Sequence, residues 1–143
     1  MPTRREARER ALSLCYEADV RGLDADQLLG ELPAPPDEYA EAVVRGVESH
    51  RDEVDAILRK VSEHWALERM PLVDRAVLRI GCYELGWQRE LPTGVVISEA
   101  VELAKLYSTK DSGRFVNGML GRIAEDLRGQ EPEQPEEPEQ PAP

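Results

Sequence analysis

Apolar residues recur at spacings of three and four along nearly the whole chain, and that period constrains the fold more than any other feature. Ala7, Ala11, Leu14, Cys15 and Ala18 form one stripe, and Val54, Ile57, Leu58, Val61 and Trp65 form another. Val116, Leu120, Ile123 and Leu127 form a third. A helix turns about 100° per residue, so side chains at these spacings share a face. No segment keeps the strict alternation of a half-buried strand, although 95–97 is locally ambiguous.

Local signals divide the helical pattern. Thr3 and Glu6 make a capping box, and the helix behind them ends near Gly22. A short helix over 26–31 follows, broken by Pro33, Pro35 and Pro36. Asp37 caps the next helix, with Tyr39, Val43, Val44 and Val47 inward. Residues 49–52 offer a further capping pattern before the Val54–Trp65 stripe. Pro71 fits the first turn of a fifth helix carrying Val73, Ala76, Val77, Ile80 and Tyr83. After a turn at 92–94, a sixth helix carries Ile97, Ala100, Val101, Ala104 and Tyr107, and Asp111 caps a seventh. The expectation is an all-α domain of seven helices over 1–128, with the prolines at 33–36 separating two helical subdomains. Residues 129–143, rich in Pro, Glu and Gln, are expected to form a disordered acidic tail.

The formal net charge is −11, from 18 Lys and Arg against 29 Asp and Glu. Such acidity repels phosphate and argues against an indiscriminate nucleic-acid or membrane-surface binder. The exception is the first helical turn, where Arg4, Arg5, Arg8 and Arg10 face only Glu6 and Glu9. No apolar run approaches the roughly 20 residues that span a bilayer. No signal-peptide pattern follows the arginines, so a cytoplasmic protein is expected. Cys15 and Cys82 read as buried reduced thiols, with a structural bridge as the lesser alternative. His50 and His64 stand apart from the cysteines and from each other, so no metal site is expected. There is no glycine-rich phosphate loop, nucleophile elbow or His–Glu metal helix, and pairs such as Glu99 and Glu102 read as a solvated face. No catalytic residue and no cofactor are expected.

Two features point toward RNA. Arg4, Arg5 and Arg8 fall within an arc of about 100° beside the apolar stripe of the first helix. Cations there oppose the helix dipole at about 0.3–1 kcal/mol each, a local conflict of the kind that marks functional sites. A helix N-terminus would also reinforce them in holding phosphate. Phe115, the only Phe, lies away from the centre of its stripe beside Asp111, Gly118 and Arg122. An aromatic ring beside small and basic residues can stack an unpaired base. Each feature also has a plainer reading: an exposed solubilising helix end, and packing at the core edge.

The segments VISEAVELAK (96–105) and KDSGRFVNGML (110–120) closely resemble the NusB family of transcription antitermination factors. RAVLRIGCYEL (75–85) and RREARERALSLCY (4–16) extend the resemblance to roughly residues 3–128. It implies a seven-helix fold of two helical subdomains, without cofactor or catalysis. It implies binding of boxA-type single-stranded RNA in ribosomal RNA leader transcripts, together with the small-subunit ribosomal protein NusE, in an RNA polymerase antitermination complex. By position, Arg4, Arg5 and Arg8 match the arginine-rich RNA motif, and Asp111 and Phe115 fall in a second RNA-contacting segment. Tyr16 and Asp74 match positions facing the ribosomal protein. Glu6 stands where relatives often carry a basic residue, Arg10 is extra, and the tail lies outside the match. Monomers and homodimers both occur in the family. A protein-only helical scaffold in transcription or ribosome assembly is the alternative. On the RNA reading, replacing Arg5 and Arg8 is expected to weaken binding with little change in thermal stability.

Overall fold

The computed structural model describes residues 2–63 and 65–129. Among them are seven α-helices and no strand: α1 (Arg4–Arg21), α2 (Ala25–Glu31), α3 (Glu38–Ser49), α4 (Arg51–Val61), α5 (Leu72–Trp87), α6 (Thr93–Tyr107) and α7 (Lys110–Arg128). A single 3₁₀ turn, Leu67–Arg69, precedes α5. The expected tail lies, beyond Gly129, outside the described residues. The helices group as α1–α3 and α4–α7, so the division falls between α3 and α4 and not at the expected prolines 33–36, across which α3 packs on α1; α5 packs against both groups, and one apolar core runs through them.

α5 is central because it is buried all round. From Ala76 to Leu85 every side chain is shielded from solvent, including those of Arg79 and Glu84. A helix without a polar face belongs in a core, and its two charges must then find partners there. Arg79 donates to both carboxylate oxygens of Asp55 on α4, at 2.8 and 3.0 Å, and to Asp19 on α1 at 3.2 Å. Arg75 reaches the same Asp19 oxygen at 2.9 Å. These contacts tie α1 and α4 to one side of α5. Gly46 lets α3 approach α5 on another side, because a Cβ there would collide with the Tyr83 ring. At the far end of α5, Arg128 donates to the carbonyl of Leu85 (3.0 Å), an acceptor that the helix terminus leaves open, and to that of Leu91 (2.7 Å) in the loop beyond.

Several boundaries differ from the sequence expectation. The Thr3–Glu6 capping box and the left-handed Gly22 are both present. Asp24 caps α2, slightly earlier than expected. The pattern at 49–52 does not cap α4: Ser49 Oγ donates back to Arg45 O instead. α4 ends at Val61, so Trp65 leaves the apolar stripe and stands 48% exposed. Pro92 is the N-cap of α6, which begins inside the expected turn, and the inward positions are Val96, Ala100, Leu103 and Ala104. Tyr107 is exposed. Thr109, not Asp111, caps α7, exchanging side-chain hydrogen bonds with Ser112. Thr109 has the extended backbone that a cap requires, whereas Asp111 is already helical.

Both cysteines are free, Cys82 in the core and Cys15 at its edge. Burial pushes each thiol up to about 12. The thiolate is the reactive form, so at pH 8 about one thiol in 10⁴ is ionised. Both should resist iodoacetamide at pH 8 in native protein and react readily in urea, as read by mass spectrometry.

Candidate nucleic-acid interface

The arginine-rich turn divides its residues between inside and outside. Arg8 is 3% exposed and donates through Nε to both oxygens of Glu84, at 3.1 and 2.9 Å. Tyr39 on α3 donates its hydroxyl to Glu84 Oε2 at 2.5 Å. Burial, and then the Glu84 charge, push the Tyr39 hydroxyl well above the ordinary phenol range, so it stays a donor. Arg8 Nη2 is buried without a hydrogen-bond partner among the described residues. Arg8 is therefore a core cation in this structure and presents no free guanidinium to a phosphate. On the helical wheel it lies about 40° from Leu12 and about 20° from Cys15, which is the inward face.

Arg4 and Arg5 do face outward. The Arg4 guanidinium lies 3.9 Å from the centroid of the Tyr39 ring, a cation–π contact that holds it over α3. Arg5 forms a two-bond fork with Glu99 on α6, with both hydrogen bonds at 3.0 Å. Its side chain remains half exposed. The hydrogen bond from Arg5, with its charge, holds the Glu99 carboxyl below the usual glutamate range. The stability contributed by this pair is present above that range and is lost as pH falls through the lowered value. Exposed pairs are worth about 0–1 kcal/mol, so a phosphate can displace Glu99 at small cost.

The second segment forms a separate cluster on α7. Asp111 is exposed, and Phe115 is half-buried against the core. The Phe115 ring lies 5.9 Å from that of Trp65, at a tilt of 43°. No hydrogen bond, ion pair or ring contact joins Asp111 or Phe115 to Arg4 or Arg5 among the described residues. Tyr39, Glu84, Glu99 and Trp65 were not anticipated as parts of this surface. An apolar-run glutamate such as Glu84 was the available signal for a buried cation.

The two positions matched to a protein partner sit beside one groove. Glu9, Leu12, Ser13, Tyr16, Val73 and Tyr107 line a space of ≈ 380 Å³ between α1, α5 and α6. Tyr16 is 39% exposed on its wall. Asp74, next to Val73, is buried: Oδ2 accepts from Ser112 Oγ at 3.0 Å and Oδ1 has no partner among the described residues. Asp74 thus ties α5 to the first turn of α7, and only Tyr16 of the pair offers an open surface.

The inward placement of Arg8 overturns the expectation that its replacement leaves stability unchanged. Removing one member of a buried pair strands the other, at about 3–5 kcal/mol. Arg8→Ala should lower unfolding free energy by about that amount in urea titration, while Arg4→Ala and Arg5→Ala each change it by less than about 1 kcal/mol.

A model of the NusB family matches residues 5–125. The transcription antitermination protein NusB of Saccharopolyspora erythraea is 49% identical, over 92% of this chain and 98% of its own. The solved structure of T. maritima NusB is similar with a TM-score of 0.79 and 36% identity, covering 87% of this chain and 92% of that one. A chain in a crystal structure of antitermination factors NusB and NusE in complex with dsRNA gives a TM-score of 0.75 and 31% identity. That match covers 86% of this chain and 96% of the other. The chain belongs to the NusB family.

Proposed function

We propose that this protein is a transcription antitermination factor that binds boxA-type RNA of ribosomal RNA leaders together with the ribosomal protein NusE, on elongating RNA polymerase. It acts by binding and not by catalysis, within the cytoplasm. No described helix is long and apolar enough to cross a membrane. What carries the reading is the exposed Arg4–Arg5 pair at the N-terminus of α1 in a chain of this family. Residues 1–128 act as the binding unit, and the acidic stretch from 129 is an appendage to it.

In this reading Arg4 and Arg5 hold the RNA backbone, and the α7 segment of Asp111 and Phe115 meets a base. Arg8 is a positioning residue, because its guanidinium is committed to Glu84. Tyr16 presents the partner groove and Asp74 braces it through Ser112. Two phosphate contacts on an acidic body give weak binding alone, so the ribosomal protein completes the surface. This division of labour suits selectivity, since a net charge of −11 opposes nonspecific RNA.

The test is a titration of boxA-like RNA against a scrambled control, with and without the ribosomal protein. Selective binding strengthened by the partner is expected. Each single-strand phosphate contact contributes a slope of about −0.7 in log affinity against log salt. The Arg4→Gln/Arg5→Gln double variant should therefore bind more weakly and lose about 1.4 from that slope, with its thermal midpoint nearly unchanged. Equal affinity and slope in the double variant would remove these residues from the interface. Partner binding without any RNA selectivity would favour the protein-only scaffold.

A further inference from the structure

We propose that Trp65, rather than Phe115 alone, is the main base-stacking platform of the second RNA cluster, with Arg122 holding the adjoining phosphate; this rests on the RNA-binding reading above. Ser62, Glu63, Trp65, Phe115, Met119 and Arg122 border a cleft of ≈ 310 Å³ between the end of α4 and the outer face of α7. The floor is apolar, with Met119 buried and Phe115 half-buried. Trp65 is the widest aromatic surface on it, and almost half of that residue is open to solvent.

The backbone of Trp65 is fixed by two hydrogen bonds to Ser62. Ser62 Oγ donates to the carbonyl of Trp65, and the Trp65 amide donates to Ser62 O at 3.4 Å. These bonds set the turn that lifts the residue out of the α4 stripe. Phe115 then backs the ring at 5.9 Å, too close and too tilted for a base to enter between the two. A base must stack on the open side of Trp65, with Phe115 behind it. Arg122 stands exposed at the edge, its Nη2 3.7 Å from Met119 Sδ, and among the described residues none of its hydrogen bonds or ion pairs goes to a carboxylate. Glu63 lines the cleft as well, so a phosphate is favoured only on the Arg122 side.

The occupant is single-stranded RNA because the cleft pairs an open π-face with a cation and includes Phe115, which the proposed function places against a base. That combination holds unpaired nucleotides without reading their sequence. Duplexed bases offer no free face, so the site takes an unpaired base at the boxA end or loop.

The chain has two tryptophans, Trp65 and Trp87. In a Trp87→Phe background, boxA-like RNA with the ribosomal protein present should quench Trp65 emission with the midpoint of binding. Trp65→Ala should lose about five- to hundred-fold in affinity, Trp65→Phe much less, with the salt slope unchanged in both. Arg122→Gln should instead reduce the slope by about 0.7. Unchanged affinity of Trp65→Ala, or unchanged emission at saturating RNA, overturns the inference. If the Arg4/Arg5 variant loses binding while Trp65→Ala does not, the stacking platform falls and the RNA reading stands. If the unmodified protein shows no RNA selectivity even with its partner, both fall. A change in sedimentation of Trp65→Ala with RNA affinity intact would assign the cleft to a second copy of the chain, and also overturns the inference.

Discussion

A carboxylate is buried in the last turn of the helix that holds this molecule together, and the rest of the surface depends on how it is neutralised. Glu84 is 1% exposed on α5. An isolated charge there would cost several kcal/mol, so a cation and further donors must accompany it. α1 supplies Arg8 and α3 supplies the Tyr39 hydroxyl. That choice fixes the rotation of α1 about its own axis. With Arg8 turned inward, the helical period sends Arg4 over the ring of Tyr39 and Arg5 around to Glu99 on α6. Arg4 and Arg5 stand at the surface because Arg8 is turned into the core.

The same logic repeats along α5. Arg79 is matched by Asp55 on α4 and Asp19 on α1, and Asp74 by Ser112 on α7, so the buried polar groups of this helix together fasten α1, α3, α4 and α7. Hydrophobic packing supplies most of the stabilisation in such a domain, but it is non-directional. The ion pairs specify which faces meet. Buried pairs are weak evidence for stability by themselves, and fixing register is their best-attested use. Tyr39 joins the buried carboxylate to the exposed Arg4, which places one side chain between core and interface.

Much of this was legible in the sequence, and the failures share a cause. The seven helices followed from period and caps, since those signals are local. The burial of Arg8 was not foreseen because a cluster of arginines suggests one surface, whereas its small angular distance from Leu12 and Cys15 already pointed inward. Glu84, the only acidic residue in RAVLRIGCYEL, was the complementary clue. Trp65 was assigned to the α4 stripe because its spacing continued the pattern, and no signal marked the Ser62 turn that ends the helix. Asp111 reads as the cap of α7, and only the backbone geometry shows that Thr109 fills that place. Contacts between distant helices, such as Arg5 with Glu99, have no sequence signature in a single chain.

The central claim is that one arginine of the motif is committed to the core, while two at the surface are the ones proposed to meet RNA. Side-chain Nε–H resonances of Arg4, Arg5 and Arg8 report this directly in the intact protein. The account predicts that Arg8 Nε–H exchanges slowly with water and keeps its shift when boxA-like RNA and the ribosomal protein are added. Arg4 and Arg5 should exchange fast in free protein and move on RNA addition. A rapidly exchanging Arg8 that shifts with RNA, beside an indifferent Arg4 and Arg5, would contradict it.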